Sequence, residues 1–377
     1  MKPDLGLYLH IPFCVSRCPY CDFVSTASQE ALLPAYVRAL AQEIENWAGR
    51  GLGARTVYFG GGTPSLLAPQ QVRHLMEAVR VSFHLWPTAE VTLESNPGDR
   101  VPFSSLRSLG VSRLSLGAQS FHEAELHLMG RRHTVADIAE AFSGARKAGF
   151  DNINLDLLYG LPGQREEDFA HSLKTALALG PDHLSLYCLT LEAHTPLAQA
   201  IASGKLPDPD QDRAAEMYLL AEEALAREGF EHYELSNWAH PGKRCQHNLI
   251  YWENRPYMGF GAGAHSYFQG RRFSNVTDLG QYLSRIAAGQ SPVEHKEQIG
   301  KALERAETMF LGLRLVEGVS TRAFARRFRA PPAAYYPGPV AELRQLGLLE
   351  EQGGHLRLTP RGRLLGNQVF YRFLSPE

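Results

Sequence analysis

Several features that mark particular classes of protein are missing from this sequence of 377 residues. It has no apolar run long enough to cross a bilayer, so we expect no integral membrane segment. Its formal net charge is only −2, without a basic footprint, so we expect no nucleic-acid partner. The stretch MKPDLGLYLHIPF fits neither a signal peptide nor a transit peptide, because it has an early aspartate and only a short apolar run. We therefore expect a cytoplasmic protein.

Cysteine is scarce in the chain. The five cysteines are Cys14, Cys18, Cys21, Cys188 and Cys245. An odd number of thiols in a reducing compartment argues against a disulfide framework. Three of them lie close together in CVSRCPYC, a spacing that also fits one face of a helix. Pro12 and Pro19 disfavour that helix, since an interior proline costs about 3 kcal/mol. The stretch is therefore predicted to be a loop that gathers three thiolates.

A fourth ligand is missing from this loop, because the position after Asp22 is Phe23 rather than cysteine. Thiolates are ligands for soft metals. A structural zinc site closes with four ligands, and an iron–sulfur cluster normally takes four cysteines. Three cysteines leave one iron open, and a substrate or cofactor can coordinate there. At this point a zinc site and a cluster with an open iron both remain possible interpretations.

Apolar, β-branched runs alternate with amphipathic helical patterns over the first half of the chain. The predicted strands are 5–11, 56–59, 90–94, 113–118, 152–158 and 183–189. The predicted helices lie near 30–48, 69–83, 134–148 and 166–179. This alternation predicts right-handed βαβ units and a parallel sheet. Six units favour an α/β fold with an open or partial (β/α)6 barrel, although the pattern also allows a doubly wound sheet.

The unusual residues follow the predicted strands. The cysteine loop, GGGTP, ESNP, GAQSF and DLLYGLPGQ each come at or near a strand's carboxyl end, where barrels and open α/β sheets place their sites. Glu94, Gln119 and Asp156 are polar residues on this rim. Each alone fits a loop anchor, but together they suit a ligand with hydroxyl and amine groups. Arg131 is suited to a ligand carboxylate, which arginine binds bidentately.

These motifs occur in an order that resembles a known family. CxxxCxxC, with YLHIPFC before it and GGGTP, ESNP, LSLGAQSF, GRRHT and NLDLLYGLPGQ after it, resembles the radical S-adenosylmethionine (SAM) superfamily. Within it, the chain resembles the oxygen-independent coproporphyrinogen III oxidase and its relatives over about the first 200 residues. The resemblance implies that Cys14, Cys18 and Cys21 hold a [4Fe–4S] cluster. It also implies that SAM chelates the fourth iron and is cleaved to a radical by one electron from a donor.

The resemblance also implies which residues surround SAM. They are Tyr8, Tyr20, Gly61, Gly62, Thr63, Glu94, Gln119, Arg131, Asp156 and Thr190. Glycine backbone suits the amine of SAM, Arg131 its carboxylate, and Gln119 or Asp156 the ribose hydroxyls. Tyr20 lies between two of the cysteines and can flank the adenine.

Two departures separate this sequence from the oxidases themselves. The oxidases carry a further cysteine two residues after the third, where this chain has Phe23. They also carry an N-terminal extension that helps to close the active site, whereas this chain begins almost directly at its first strand. We therefore expect no conversion of coproporphyrinogen III, and we assign no catalytic residue.

A second motif, HNLIYW, resembles the HNxxYW signature of heme chaperones in the same family. The resemblance implies heme binding by four residues, His247, Asn248, Tyr251 and Trp252. An imidazole can ligate heme iron, and two aromatic rings can pack on a porphyrin. The alternative is that these are ordinary core residues. Cys245 and His265 are further candidates near any porphyrin.

The predicted domains are a barrel with the cluster and SAM site over 1–230, a heme-motif extension over 231–297, and a winged-helix-like module over 298–377. The module is expected to act as a lid or in packing. The favoured function is a heme chaperone that binds heme, a cluster and SAM, and passes heme to an unidentified acceptor protein. The alternative is a radical enzyme of tetrapyrrole metabolism.

Overall fold

The computed structural model describes residues 4–374. Strands and helices alternate through its first half. In chain order they are β1 (Asp4–Ile11), β2 (Phe13–Cys14), β3 (Thr26–Ala27), α1 (Leu33–Glu45), β4 (Gly53–Gly61), α2 (Pro69–Ser82), β5 (His84–Ser95), α3 (Phe103–Ser108), β6 (Arg113–Gln119), α4 (Glu123–Leu128), α5 (Val135–Lys147), β7 (Ile153–Tyr159), α6 (Glu166–Ala178), β8 (His183–Cys188) and α7 (Pro196–Ala202). The six predicted strands and four predicted helices are therefore confirmed, with shifts of up to three residues at their ends, except that β5 begins six residues earlier than predicted.

The second half continues with shorter strands and then turns mainly helical. Its first elements are α8 (Gln211–Arg227), β9 (Glu231–Glu234), β10 (Asn237–Ala239), α9 (Gln246–Trp252), β11 (Tyr257–Phe260), β12 (His265–Phe268), β13 (Arg271–Asn275), α10 (Leu279–Ala287) and β14 (Val293–Gln298). Its last are α11 (Lys301–Gly312), β15 (Val319–Ser320), α12 (Thr321–Phe328), α13 (Pro332–Tyr335), α14 (Pro337–Gln345), β16 (Leu349–Gln352), β17 (His355–Leu358), α15 (Pro360–Leu364) and α16 (Gly366–Tyr371).

One open sheet of twelve strands organises the larger part of the molecule, in the order β14-β13-β12-β11-β1-β4-β5-β6-β7-β8-β10-β9. The run from β11 to β8 is parallel throughout, and the outer strands at both ends are antiparallel. The partial barrel is thus extended by a seventh parallel strand, β11, beside β1. Because β1 and β4 to β8 bury near-continuous apolar runs, they pack on both faces, as parallel strands do.

The C-terminal part has a core of its own. Helices α11 to α16 surround the three-stranded sheet β15-β17-β16, and a separate apolar cluster runs from Met309 to Phe373. The hairpin β16–β17 followed by helices matches the winged-helix-like expectation. Residues 298–377 contain twelve Lys and Arg against seven Asp and Glu, a formal charge of +5 in a chain of −2 overall. The domain boundaries themselves stay a prediction.

The outermost strand β14 differs from the rest of the sheet. Its sequence VEHKEQ is exposed at five of six positions. Among residues 4–374 it pairs on one side only, with β13. Within residues 4–374, no helix combines the length and the apolar character needed to cross a membrane.

Candidate cluster and cofactor site

The cysteine loop is fixed to the body of the barrel at several points. The amide of Thr26 donates to the carbonyl of Pro12 at 2.7 Å, and the amide of Leu197 donates to the carbonyl of Pro19 at 2.9 Å. Inside the barrel, His10 Nε2 donates to the carbonyl of Val24 at 2.7 Å, which leaves Nδ1 to accept from the Tyr8 hydroxyl at 3.1 Å. These bonds hold both ends of the loop at the carboxyl edge of the parallel sheet.

The three cysteines of the loop are half-buried and reduced, which suits thiolate ligands that must meet a bound group. Thr63 Oγ1 donates to the sulfur of Cys14 at 3.5 Å, and Arg131 Nη1 donates to that of Cys18 at 3.6 Å. Burial raises the pKa of the Cys14 and Cys21 thiols, so deprotonation there needs a bound metal. In the part of the chain that the structure describes, no three ligand side chains converge on a point for one metal ion. A cluster makes no such demand, since each thiolate binds a different iron.

The glycine turn after β4 brings backbone under this loop. A Cβ at Gly62 would lie 2.9 Å from the Cys14 sulfur and 2.7 Å from the carbonyl oxygen of Phe13. Gly61 has φ +120, a conformation that L side chains rarely adopt. The sequence GGGTP is therefore needed here for close approach, and it leaves the backbone accessible to a ligand.

Glu94, near the end of β5, is a buried carboxylate that faces this turn. It accepts from the Tyr58 hydroxyl at 2.9 Å and from the amide of Gly61 at 3.1 Å. Burial raises its pKa to about 7, against the effect of these hydrogen bonds. An amine-bearing ligand would favour the charged form of this residue.

Asn96 joins the two sides of the site, and it is the main functional residue that the sequence analysis missed. Its amide nitrogen donates to Thr63 Oγ1 at 3.1 Å, and its Oδ1 accepts from Arg131 Nη2. Arg131 also donates to the carbonyl of Gly117 at 2.9 Å. Its buried Nε has no hydrogen-bond partner among the described residues. A buried guanidinium with unused donor capacity fits the carboxylate of SAM.

Gln119 and Asp156 complete the rim. Gln119 has φ +67, an uncommon conformation for a residue other than glycine, and one that occurs often at functional sites. Asp156 accepts from Ser115 Oγ at 3.1 Å and from Asn154 Nδ2 at 2.8 Å, and burial raises its pKa. The carboxylate of Asp156 is therefore held in place by hydrogen bonds before any ligand arrives, as a binding site requires.

These residues line one cleft of about 340 Å³, which we call the cluster cleft. All three cysteines of the loop line it, together with eight of the ten residues predicted to surround SAM: Tyr20, Gly61, Gly62, Thr63, Glu94, Gln119, Arg131 and Asp156. The other two predicted residues do not line it. Tyr8 lies beneath the cleft in contact with Tyr58, and Thr190 lines a neighbouring cleft. Tyr58 and Tyr187 also line the cluster cleft and were not predicted.

The HNLIYW motif lies elsewhere, in the interior of the barrel. His247 is 1% exposed. Its Nδ1 is 2.7 Å from Thr56 Oγ1 and its Nε2 is 2.8 Å from the Tyr251 hydroxyl, so both ring nitrogens are hydrogen-bonded. Burial lowers its pKa to about 3. This geometry agrees with the core-packing alternative and leaves no free nitrogen for heme iron. Heme ligation by His247 stays a prediction, and it would require these bonds to break.

The helix that carries the motif is fixed towards the amino-terminal end of the strands. Glu90 of β5 accepts from the amides of Gln246 and His247 at 3.1 Å each, and so caps α9. Thr56 lies five residues before Gly61 on β4, which corresponds to roughly 17 Å along the strand. The ring of His247 stacks on Tyr58 at 5.0 Å, so the motif supports the floor of the cluster cleft.

The remaining heme candidates are dispersed. Trp252 lies under the guanidinium of Arg314 at 4.3 Å, and Tyr251 contacts Tyr257 edge-on at 4.7 Å. Cys245 is fully buried, and burial raises its pKa to about 12. Asn248 is half-buried on α9, and His265 is exposed on β12. The structure therefore does not gather the predicted heme residues around a cavity.

Comparison with known proteins agrees with this geometry. A family model described as the radical SAM superfamily matches residues 8–176, and one described as the HemN C-terminal domain matches residues 304–365. The heme chaperone HemW of Bacillus subtilis is 38% identical over 373 residues and covers 98% of both chains. The heme chaperone HemW of Lactococcus lactis is 38% identical over 378 residues, covering 100% of this chain and 98% of its own.

Among solved structures, the coproporphyrinogen III oxidase HemN from Escherichia coli, a radical SAM enzyme, superposes with a TM-score of 0.85. It is 24% identical, and the match covers 99% of this chain and 90% of that one. At this identity the match shows the fold, a radical SAM partial barrel with a C-terminal module.

Proposed function

Because this chain belongs to the radical SAM superfamily, in the family of the heme chaperone HemW, we propose that it binds heme and passes it to an acceptor protein. The observation that carries the proposal is the match to heme chaperones over nearly the whole chain, including the C-terminal module. Phe23 supports it, since the oxidases carry a cysteine at that position.

The cluster cleft supports a second part of the proposal, that the chaperone holds a [4Fe–4S] cluster and SAM. Cys14, Cys18 and Cys21 would hold the cluster, and the donor set fits because it offers three thiolates and no fourth. Arg131 would bind the SAM carboxylate, and Glu94 with the glycine backbone would bind its amine. When bound, the cluster and SAM supply one-electron chemistry, for which an electron donor is needed. The protein's own part is to position the two groups and to exclude water.

The function is tested by heme titration and heme transfer. The anaerobically reconstituted protein should bind ferric heme at one saturable site. The loaded protein should then restore heme-dependent peroxidase activity to a heme-depleted extract faster than the same amount of free heme. Failure to bind heme saturably, or equal rates with free heme, would contradict the proposal.

The cluster is tested separately. We expect that replacing Cys14, Cys18 and Cys21 by alanine together abolishes the broad visible absorbance and the iron content of the reconstituted protein. Iron is measured chemically alongside zinc. About one zinc per chain in place of iron in the wild-type protein would show that the loop is a zinc site.

A radical enzyme of tetrapyrrole metabolism is the second candidate. The observation that favours it is the cluster cleft itself, because a protein that only carries heme has no evident need for residues arranged around SAM. We nevertheless expect no decarboxylation of coproporphyrinogen III, because Phe23 replaces the additional cysteine. The assay uses reduced, reconstituted protein with SAM, and product is detected by chromatography. Robust formation of protoporphyrinogen IX would move the assignment to the enzyme.

A further inference from the structure

The heme site is the open question within the proposed function, and this inference rests on that function. The two ring nitrogens of His247 are engaged, and the residue is enclosed by the barrel. A heme bound there would have to displace Thr56 and Tyr251 from their hydrogen bonds. A macrocycle with two propionates needs an existing opening instead, with room for its ring and cations at its edge.

A larger cleft adjoins the cluster cleft. It lies between the end of β8, the helix α8 and the C-terminal helices α15 and α16, and we call it the module cleft. Its volume is about 970 Å³, at the upper end of the range of about 300–1,000 Å³ in which proteins bind small ligands and cofactors. Tyr187 lines both clefts and is 40% exposed, so its ring forms the boundary between them.

The module cleft contains a candidate iron ligand. Cys188, the last residue of β8, lines the cleft and is exposed. Its register partner on β7 is Tyr159, which also lines the cleft. Burial raises the pKa of the Cys188 thiol, and hydrogen bonding with Tyr159 partly offsets this. Cysteine thiolates are established axial ligands of heme iron. The lining contains no histidine, so this thiol is its strongest heme ligand.

The same cleft offers cations for propionates. Arg314 and Arg363 line it from the C-terminal part of the chain. Arg363 is paired with Glu222 at 2.7 Å and Arg314 with Glu234 at 3.7 Å, and the Nε atom of each arginine lacks a hydrogen-bond partner among the described residues. The guanidinium of Arg314 lies over the ring of Trp252 in the HNLIYW motif, so the motif supports this cleft from behind.

We propose that heme binds in the module cleft, with Cys188 as the axial ligand of ferric iron, and not at His247. When the thiol ligates the iron, its proton is released to solvent, and no oxidant or reductant is consumed. Heme in this position would lie beside the cluster cleft, across Tyr187. Helices α15 and α16 of the C-terminal module would then form one wall of the heme site.

The test compares four variants of the full-length, cluster-loaded protein, with ferric heme as the probe. Cys188→Ala removes the ligand, and Ala215→Trp fills the cleft from α8 without touching the ligand. Cys245→Ala is the matched control, since it removes a thiol that lies outside both clefts. His247→Gln changes the motif while keeping a side chain that can donate and accept. Thermal unfolding and iron content show that each variant is folded and loaded.

We expect the wild-type complex to show the electron paramagnetic resonance spectrum of a ferric heme with a thiolate ligand. Cys188→Ala should lose that signature. Cys188→Ala and Ala215→Trp should each bind heme at least about tenfold more weakly than the wild type. Cys245→Ala should keep the signature and the affinity. A heme spectrum that changes in His247→Gln but not in Cys188→Ala would return the ligand to His247 and overturn the proposal. Retention of the signature by Cys188→Ala, or unchanged affinity in Ala215→Trp, overturns the site while leaving the proposed function intact. Absence of saturable heme binding in the wild type contradicts both.

Discussion

At the scale of residues, His247 is held by hydrogen bonds and ring packing in the interior of the barrel. Its buried imidazole is hydrogen-bonded to the hydroxyls of Thr56 and Tyr251, and its ring stacks on Tyr58. Because Tyr58 donates to Glu94, the motif is connected to the cluster cleft through two contacts.

We expect His247→Ala to lower the free energy of unfolding by about 2–4 kcal/mol, because it leaves two buried hydroxyls unpaired and opens a cavity. His247→Gln should recover part of this loss, since an amide can replace both hydrogen bonds. Denaturant titration of the two variants measures the difference. Full stability of the alanine variant together with loss of heme binding would instead support the iron-ligand prediction.

Glu94 should make stability depend on pH. In the unfolded chain it titrates near its ordinary value of 4.5, and in the folded protein near 7. Between these values the folded state retains a proton that the unfolded state has released. The contribution of Glu94 to stability therefore falls as pH rises from about 4.5 to 7, and it stays low above that.

In the absence of SAM, we expect the free energy of unfolding of the wild type to fall by roughly 1–3 kcal/mol relative to that of Glu94→Gln between pH 5 and pH 8. The glutamine cannot ionise, so the comparison isolates this residue. Glu77→Gln, at an exposed position of α2, is the control and should give no such difference. A difference in the free energy of unfolding between wild type and Glu94→Gln that stays constant across the pH range would contradict the raised pKa of Glu94.

The sequence predicted those site residues whose residue type directly indicates a chemical role. Cysteines in a loop, glycines in a turn and an arginine after a glycine were assigned from their chemistry and the family pattern, and they meet in one cleft. Asn96 was missed because an asparagine in a turn is common, and its two hydrogen bonds join segments distant in sequence. The burial of His247 is equally invisible in a linear motif, because its partner Thr56 lies 191 residues away.

At the scale of elements, the glycine turn after β4 packs tightly against the cysteine loop. We expect Gly62→Ala to displace the loop, since the new Cβ would approach the Cys14 sulfur and the Phe13 carbonyl below 3.0 Å. Cluster content should fall severalfold while the melting temperature changes little, because the loop lies outside the core. Iron analysis after reconstitution measures the loss.

Gly338→Ala is the matched control for this substitution, because a Cβ there meets no atom within 4 Å. It should leave cluster content unchanged. Full cluster content in Gly62→Ala would show that the loop can shift without cost, and that the glycine turn is not a constraint on the ligands.

The prediction of strands and helices was correct where the chain repeats a simple pattern. Long apolar, β-branched runs identify strands that are buried on both faces, which is why β1 and β4 to β8 were found. The parallel strand β11 was not among the predicted strands. Its four residues YMGF include a glycine and follow a proline, and its pairing with β1 joins residues about 250 positions apart.

At the scale of the whole molecule, charge is unevenly distributed. The C-terminal part carries +5, whereas the chain as a whole carries −2. On α12 and just after it, Arg322, Arg326 and Arg329 are exposed and have no ion-pair partner among residues 4–374. The overall charge that argued against a nucleic-acid partner therefore conceals a basic surface.

We expect the protein to bind a cation-exchange resin at pH 7 and low ionic strength despite its net negative charge, because the basic surface can face the resin. Replacing the three arginines by glutamine should shift elution to markedly lower salt. The matched change Arg17→Gln in the cysteine loop should shift it much less. Elution of the wild type in the flow-through would contradict a concentrated basic surface.

The exposed strand β14 has a consequence for how these molecules behave when crowded. An exposed edge strand in a sheet presents backbone groups with which another polypeptide could continue the hydrogen-bond ladder. Glu294, His295, Lys296 and Glu297 put charge on both faces of that side. A second polypeptide that paired with β14 would have to desolvate these groups and bury them against its own chain. The charged residues of β14 therefore disfavour edge-to-edge pairing with another chain.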